Sequence, residues 1–552
     1  MSGRRVKSVA DNAPLPAGMQ APPHTGDGLQ SAVRFATVPG AICMEATANK
    51  IFRVHDLGPT LAPHRAAGKT IIHCHGVFDL LHIGHIKHLE AAKQLGDILV
   101  VTTTPDRFVN KGPHRPAFPE KLRAEALASL ACVDYVAVNE WPTAVETIKI
   151  VRPTLYVKGM VREEGKRDHT NAISDEEQAV INCGGKLHLT DEETFSASTL
   201  INRFMDVFAP KTKDFLETFR AKHPPEEVMG HLQTIRKQKV LVIGETIIDE
   251  YQFCGVLGKS SKEPVLAALH HRTEQYAGGV LAIANHVSNF CDEVGLLSAL
   301  GAENSREEFI QSKLNKNVRP HFLRLPNAPT IVKRRFLEEH LSAKLFEVYE
   351  MRNERLTPAL EEQFLKQLDE LLPRYDVVVV ADYGHGLLTD RAVHLICARA
   401  KFLAVNVQVN AGNRGFNLIS KYPRAEFVSL GEPEVRLDAR KMTDDLAAIT
   451  RTAAARVGSQ YFLVTRGSSG CYCCDVQQNI AEVPAFAIRV VDRVGAGDAV
   501  FAVTAPCAAL GIPAESLGFI ANVVGAEACM IMGHRSFIDP TSLFRHITSL
   551  MK

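Results

Sequence analysis

Two short stretches combine glycine with side chains that can hold phosphate or move a proton: His82, Ile83, Gly84 and His85 near the front, and Gly495, Ala496, Gly497 and Asp498 near the back. The first follows an apolar strand-like run, Thr70 to Cys74, and the turn His75, Gly76, Val77, Phe78, Asp79, and it opens an amphipathic helix running to about Leu95. The second follows the strand-like run Ile488, Arg489, Val490, Val491 and opens an apolar helix. The first turn of a helix presents free N–H groups and the positive end of the macrodipole, so an anion is favoured at both places. Each half of the chain is therefore expected to hold a nucleotide, and two such sites imply two reaction steps.

In the front stretch, two histidines three residues apart on a first helical turn place both imidazoles on one side, where they can donate to phosphate oxygens, while Gly84 keeps the backbone open to a ligand. A nucleotidyl transfer needs no protein nucleophile. An incoming phosphate attacks the α-phosphorus, and placed cations stabilise the charge that develops. His82, His85 and Lys111 suit that role. A solitary histidine near a helix start would be read as packing or capping; the repeat, with Gly76, Phe78 and Asp79 just ahead, argues for chemistry.

In the back stretch, the glycine amides of Gly495 and Gly497 form a candidate anion hole, with Ala496 between them. Asp498 next to it can take a proton from a hydroxyl while a γ-phosphoryl group is held in line. Glycine and aspartate are also ordinary punctuation at a helix start, which is the bland alternative. Lys333, Arg334 and Arg335 form a basic triplet on an expected strand. Alternation would point Lys333 and Arg335 to one face, where they could grip a phosphate already on the substrate; a solvated charge run is the open alternative.

The elements that must carry these groups are α/β throughout. From Thr70 to about Asn202, strands at Ile98 to Thr102, Tyr135 to Val138, Thr154 to Val157 and Lys186 to Leu189 alternate with helical stretches, among them Glu120 to Leu130. A second series starts with Lys239 to Gly244 and continues through Val377 to Ala381, Phe402 to Val407, Glu426 to Leu430 and Phe462 to Thr465. Alternation of this kind implies parallel sheets covered by helices, hence two doubly wound domains. Residues 1–45 read as a disordered leader, 46–204 as the first domain, 205–238, with Pro210, Pro224 and Pro225, as a helical linker, and 239–552 as the second domain.

The 552 residues carry 63 basic and 62 acidic side chains for a net charge of +1, so no basic footprint for nucleic acid is expected. No apolar run reaches membrane-spanning length and no signal core follows the N-terminus, so the chain is expected in the cytoplasm, without a membrane partner. Three of the 12 cysteines cluster as Cys471, Cys473 and Cys474. No second pair of ligands accompanies them at metal spacing, and they read as reduced thiols on a strand, with no resident metal site.

On the Gly76, Phe78, Asp79 and His82, Gly84, His85 signature, residues 69–204 resemble the cytidylyltransferase-like nucleotidyltransferases. The resemblance extends to Asn110, Lys111 and Gly112, where the family holds triphosphate oxygens with lysine, and to the segment Phe195 to Leu200, whose Ser198 and Thr199 correspond to residues closing over the phosphates. Asp191, Glu192 and Glu193 stand where glycerol-phosphate cytidylyltransferases carry an arginine, which leaves ATP and CTP both open.

Residues 239–533 resemble the ribokinase-like, PfkB-type sugar kinases, on Gly244 with Asp249, Gly278 with Gly279 and Asn285, and Asp492 leading into Gly495 to Asp498. That resemblance implies sugar contacts at Asp249, Gly278, Gly279 and Asn285, the base at Asp498, and nucleotide contacts at Thr465, Arg466, Gly467 and Asn522. Where the family shows Asn, two residues, then Glu near magnesium, this chain has Gly431 to Glu434, and only Glu434 carries over.

Taken together, the chain resembles the bifunctional heptose kinase and nucleotidyltransferase family with its halves in inverted order. The implied activity is a sugar-phosphate kinase and sugar 1-phosphate nucleotidyltransferase, using magnesium and ATP or CTP, that makes an ADP-heptose-like activated sugar for surface glycans. A nucleotidyltransferase with a regulatory kinase-like module and a nonenzymatic scaffold are the competing readings. A homodimer is admitted but not specified.

Overall fold

The computed structural model describes residues 47–109, 115–159, 172–190, 208–340, 343–352, 355–413, 415–487 and 489–552. The expected leader, Lys111, and the segment with Ser198 and Thr199 lie outside these residues.

Among the described residues the front half is built on six strands: β1 (Ile51–Arg53), β2 (Ile71–Gly76), β3 (Ile98–Thr103), β4 (Tyr135–Val138), β5 (Leu155–Gly159) and β6 (Lys186–Thr190). They lie in the order β1-β4-β3-β2-β5-β6, and every neighbouring pair is parallel. Successive strands run outward from β2 in one direction and then resume on its other side at β5, so the switch point of this doubly wound sheet is the β2/β5 crevice. All six residues of β3 and the first four of β2 are buried, as expected of parallel strands covered on both faces. The edge strand β1 precedes the point where the sequence reading began the core; three residues are too few to show a period.

Among the described residues the back half contains thirteen strands: β7 (Lys239–Gly244), β8 (Thr246–Lys259), β9 (Leu266–Gly279), β10 (Glu293–Glu303), β11 (Val318–Pro329), β12 (Ile331–Glu338), β13 (Lys344–Glu350), β14 (Val377–Asp382), β15 (Leu403–Val407), β16 (Phe427–Gly431), β17 (Tyr461–Thr465), β18 (Cys471–Cys474) and β19 (Ile480–Val483). Nine form the main sheet in the order β11-β10-β7-β14-β15-β16-β17-β18-β19, with only the β17/β18 and β18/β19 pairs antiparallel. Alternation divides β7 between two cores: Val240 and Val242 pack with Val280 and Phe501 on one face, Leu241 and Ile243 with Phe364 and Ile396 on the other. Cys471, Cys473 and Cys474 sit buried on β18, on the strand the sequence implied.

The other four strands form a separate sheet, β13-β12-β8-β9, which the sequence reading did not anticipate. β8 runs parallel to β12 and antiparallel to β9, and its register sets Lys333 beside Asp249 and Arg335 beside Tyr251. The near end of this sheet is buried on the main domain at Thr246 to Tyr251, while Leu257, Leu266 and Leu269 at its far end are exposed.

Two segments depart from expectation. The described part of the supposed linker is two helices, Pro210–Lys222 and Pro225–Thr234, whose Leu216, Phe219, Val228, Met229 and Leu232 are buried in the back-half core. Their prolines stand at the first helical turn, where a missing N–H is harmless, so they start helices instead of breaking them. Residues 489–491 form no strand: the N–H groups of Val491 and Asp492 both donate to the Cys529 carbonyl at a helix end, and Val490 and Val491 are exposed. Among the described residues no helix is long and apolar enough to cross a membrane.

Phe219 is fully buried and stacks on Phe519 with centroids 4.4 Å apart. Phe219→Ala should therefore destabilise the back half by about 3–5 kcal/mol. Urea unfolding followed by fluorescence checks this; a change under about 0.5 kcal/mol would restore the linker interpretation.

Candidate functional site

In the front half the turn after β2 brings the signature together at the switch point. His82 is the N-cap of the helix Ile83–Gln94, its Nδ1 accepting from the Gly84 N–H at 3.1 Å. One turn on, His85 stacks on it with ring centroids 3.9 Å apart, so the two imidazoles do share one side. Phe78 takes a left-handed φ of 47° and sets its ring edge on His85 at 5.3 Å. A Cβ on Gly76 would lie 3.2 Å from that ring, which is why the turn takes glycine there. Burial lowers the pKa of His82, favouring the neutral ring. Among the described residues its buried Nε2 has no hydrogen-bond partner, leaving that atom for a ligand. Asp79 is buried and accepts from the Ala117 N–H and, at 3.2 Å, from Arg115, so it orders the loop that follows the undescribed Lys111.

In the back half, Asp498 lies on the first turn of the helix Ala496–Ala509, 8% exposed. Its Oδ1 accepts from the Tyr383 hydroxyl and from Gln408 Nε2, each at 3.0 Å. Burial pushes its carboxyl up, with His534 and the Tyr383 hydroxyl pulling the other way. Gly495 before it has φ 81°, and the ring of His534 lies so close that a Cβ would meet it at 2.2 Å.

The four-stranded sheet delivers the facing groups. Asp249 on β8 is buried, paired with Arg335 and 3.4 Å from His534 Nε2. Gly278 is where β9 passes Asp249; a Cβ there would stand 2.0 Å from its Oδ2, so only glycine fits. Gly279 then turns the chain into the helix Val280–Phe290 with φ 53°. Lys333 and Arg335 are both buried on one face of β12, as alternation required, while Arg334 on the other face pairs with Glu250. The solvated-run alternative is thereby excluded. Arg335 is bonded to Asp249 and, at 3.0 Å, to Glu347, which ties it to the position of Asp249. Lys333 sees Asp249, Glu245 and Asp498, and burial lowers its pKa.

Asn285 is fully buried, its Nδ2 donating to the Lys313 carbonyl and its Oδ1 accepting from the Asn315 N–H, both at 2.9 Å. Its amide braces one helix against the loop after Lys313.

Glu434 sits on the first turn of the helix Glu432–Ala439, its carboxyl pushed up by burial. A Cβ on Gly431 would lie 2.4 Å from Glu434 Oε2. Thr465 ends β17, Arg466 lies over the Tyr472 ring at 4.1 Å and meets Glu482 at 3.1 Å, and Gly467 has φ 56°. The Asn522 amide nitrogen is committed to Cys471 Sγ and the Gly518 carbonyl, both at 3.0 Å.

Several residues escaped the sequence reading. Tyr383 and Gln408 fix Asp498, His534 lies over Gly495, and buried Arg123 organises the front loop; none sits in a recognisable local pattern. Glu245, directly after β7, is buried and accepts from the Tyr383 and His385 N–H groups, each at 3.0 Å. Burial, and then the nearby Asp382, raise its pKa to about 7.

Two doubly wound domains, each with a glycine-bearing helix start at its switch-point end, are the setting in which the comparisons fall. The model of the pfkB family of carbohydrate kinases matches residues 237–540, and the cytidylyltransferase-like model matches 73–202. The first covers more than half of the chain, which belongs to the pfkB carbohydrate kinase family. Among similar proteins, the bifunctional protein HldE of Syntrophotalea carbinolica is 37% identical over 161 residues, 29% of this chain and 31% of that one. That of Rhodopseudomonas palustris is 28% identical over 331 residues, 57% of this chain and 64% of its own. The chain thus spans from about a third to under two thirds of the length of these relatives. Phosphofructokinase-2 from Escherichia coli with potassium overlaps 56% of this chain and 99% of its own at 14% identity, with a TM-score of 0.47.

The carboxyl of Glu245 titrates higher in the folded chain than the ordinary 4.5 of the unfolded one, so the native state holds the extra proton between about pH 4.5 and 7. Its contribution is therefore a loss of stability as pH rises through that window. Glu245→Gln, which keeps an acceptor without the charge, should flatten the fall in unfolding free energy there by up to about one proton. Denaturation at stepped pH measures it; an unchanged slope would contradict the assignment.

Proposed function

We propose that the chain is a sugar-phosphate kinase and sugar 1-phosphate nucleotidyltransferase yielding an activated sugar of the ADP-heptose kind for surface glycans. Residues 46–204 are the nucleotidyltransferase, and the kinase unit includes the helices from Pro210 onward. The observation that carries the kinase reading is Asp498: a buried carboxylate, fixed by two donors, at a helix start behind two glycine amides and facing Asp249 and Lys333. For the transferase it is the stacked His82 and His85 at the other helix start.

In the first step a sugar hydroxyl oriented by Asp249 loses its proton to Asp498 as its oxygen attacks the γ-phosphorus of ATP, and ADP departs. The amides of Gly495 and Gly497 receive the transferring phosphoryl group, with Lys333 compensating charge. Arg335 and Gly278 hold Asp249 in place. Thr465, Arg466 and Gly467 are placed to line the nucleotide. A magnesium ion commonly takes one or two carboxylates plus substrate phosphates. The buried Glu434 fits as the protein ligand, and magnesium would neutralise phosphate charge there.

In the second step an oxygen of the sugar 1-phosphate attacks the α-phosphorus of a nucleoside triphosphate and pyrophosphate leaves. His82 and His85 donate to the phosphates, with Lys111, Ser198 and Thr199 completing the grip as the family resemblance implies. The nucleotide is ATP, with CTP as the alternative the acidic run Asp191 to Glu193 leaves open. Relatives named as bifunctional HldE support the pairing of the two steps.

Asp498→Asn keeps shape but removes the proton acceptor, so phosphorylation of the sugar should fall roughly a hundredfold to ten-thousandfold. Nucleotidyl transfer should be spared, and ready-made sugar 1-phosphate should restore product. A wild-type chain that consumes no ATP with any sugar or sugar phosphate would instead favour the regulatory-module reading. In the other half, His85→Ala should lower pyrophosphate release on the order of a hundredfold or more; undiminished release would remove His85 from the chemistry.

A further inference from the structure

Asp249 is held by groups that travel with it. Arg335, which donates to its Oδ1, and Gly278, whose bare Cα leaves room for its Oδ2, belong to the same four-stranded sheet. Neither sets the distance from that carboxylate to the helix start at Gly495, because the helix Ala496–Ala509 packs in the core of the main domain. A carboxylate held through one oxygen also swings about its last torsion, which has no sharp rotamers. A second hold, from outside the sheet, removes both freedoms.

His534 is placed to supply it. Its side chain is 3% exposed and its Nε2 faces Asp249 Oδ2 at 3.4 Å; among the described residues this is its one ion-pair contact. The same ring rests on Gly495, where a Cβ would meet Cε1 at 2.2 Å and both ring nitrogens at 2.9 Å. Asp498, three residues on, feels the ring as well. One imidazole thus bears on the carboxylate that faces the site from the sheet and on the turn that carries the amides and Asp498.

The backbone on either side of His534 is pinned. Gly533 has φ 54°, its N–H donates to Asp492 Oδ2 at 3.1 Å, and a Cβ on it would meet the Tyr251 hydroxyl at 3.0 Å. Arg535 pairs with Glu274 on β9 at 2.5 Å, and the Ile538 N–H donates to His286 Nδ1 at 3.1 Å. Asp492 in turn accepts from the Tyr251 hydroxyl on β8 at 2.8 Å and from Lys344 on β13 at 2.6 Å. The turn is therefore tied to three strands of the small sheet and, through His286 on the helix Val280–Phe290, to the core. An imidazole with its proton on Nε2 can hold a carboxylate oxygen whether or not the ring is charged, and a contact of this length closes to a hydrogen bond with a shift of about half an ångström.

We propose that His534 is a positioning residue of the kinase site: through Asp249 Oδ2 and Gly495 it fixes how far the carboxylate that orients the sugar hydroxyl stands from the amides that receive the phosphoryl group. The inference rests on the phosphoryl-transfer step proposed for Asp498.

Steady-state phosphorylation by the full chain tests it, with the fastest acceptor from a panel of pentoses, hexoses, heptoses and their terminal phosphates; calorimetry without ATP gives the affinity for the tightest-binding member. His534→Leu fills the space but removes the donor. Its kcat should fall on the order of a hundredfold, the cost of misplacing a reacting group by about an ångström, while the KM for ATP stays within about twofold. His534→Gln keeps an N–H and should recover to within about tenfold of the wild type. In an Asp249→Asn background His534→Leu should cost less than about threefold further, since residues that act through one another are not additive. Circular dichroism checks the fold of each variant, and His534→Ala stands in for His534→Leu if that one is lost. Equal losses in the Gln and Leu variants, an undiminished loss in the Asp249→Asn background, or a wild-type rate in His534→Leu would overturn the proposal. The phosphoryl-transfer reading fails separately. If the wild type binds a sugar but consumes no ATP, that reading falls and calorimetry decides the hold on Asp249: His534→Leu should weaken the sugar roughly tenfold and His534→Gln should not, whereas full affinity in His534→Leu overturns it. A wild type that binds no member of the panel removes both.

Discussion

Glu245 and Asp382 stand buried side by side at the carboxyl ends of β7 and β14, the point where the main sheet reverses its winding. Neighbouring carboxylates in a low-dielectric interior are strongly unfavourable unless their lone pairs and charge are satisfied. Here the satisfaction comes from the turn that follows β14. The N–H groups of Tyr383 and His385 donate to Glu245, and those of Gly384, the Asn417 amide, the Tyr422 hydroxyl and Lys421 serve Asp382. Gly384 and Gly386, with φ 71° and 95°, let the chain fold back tightly enough to do this. The same turn thereby aims the Tyr383 hydroxyl at Asp498 and the His385 ring into a neighbouring cavity. One requirement, that two acids be buried at once, fixes the geometry around Asp498 and of the space beside it.

The front half solves its own loop problem with the opposite charge. Arg123 is almost wholly buried and donates to the carbonyls of Val77, Phe118 and Thr104, to the Thr103 hydroxyl and to Asp106. Held carbonyls at Val77 and Thr104 are the ends of the loops leaving β2 and β3. They fix the turn in which Phe78 adopts its left-handed conformation and supports His85. In both halves a filled-in buried charge at the strand ends, outside the phosphate motif itself, sets where the motif points.

Those organising charges explain which parts were legible in the sequence. Parallel strands buried on both faces read as unbroken apolar runs, so Tyr135–Val138 and Val377–Asp382 stood out and the doubly wound class with them. The helix starts at Gly84 and Gly495 were legible because glycine beside histidine or aspartate is a local pattern. The four-stranded sheet was not, since its long strands mix exposed leucines with charged residues and pair across more than eighty positions, as β8 does with β12. The family resemblance implied a sugar contact at Asn285, while its hydrogen bonds to the Lys313 carbonyl and the Asn315 N–H are contacts that no local pattern records. The prolines of the helices after 209 have one local appearance and two meanings, breaker or first-turn residue, and only the burial of Phe219 chooses between them.

In the proposed kinase step, the charges that converge on Asp498 also constrain how a triphosphate can enter. Asp249 and Asp498 bring two negative charges, which Arg335 and Lys333 oppose, while Glu245 is held toward its neutral form by burial. The side chains are thus close to balanced among themselves before any nucleotide arrives. A γ-phosphoryl group must therefore be met by groups that are not part of that balance. The amides at Gly495 and Gly497 are such groups, since a helix start carries partial positive charge without a counterion of its own. Lys333 is the side chain that can more readily change partners, being buried, lowered in pKa by that burial and set over the Tyr349 and Tyr383 rings, whereas Arg335 is locked by two carboxylates. Arrival of phosphate beside Lys333 would favour its charged form, while the added negative charge near Asp498 would raise that carboxylate's affinity for the proton of a hydroxyl placed against it.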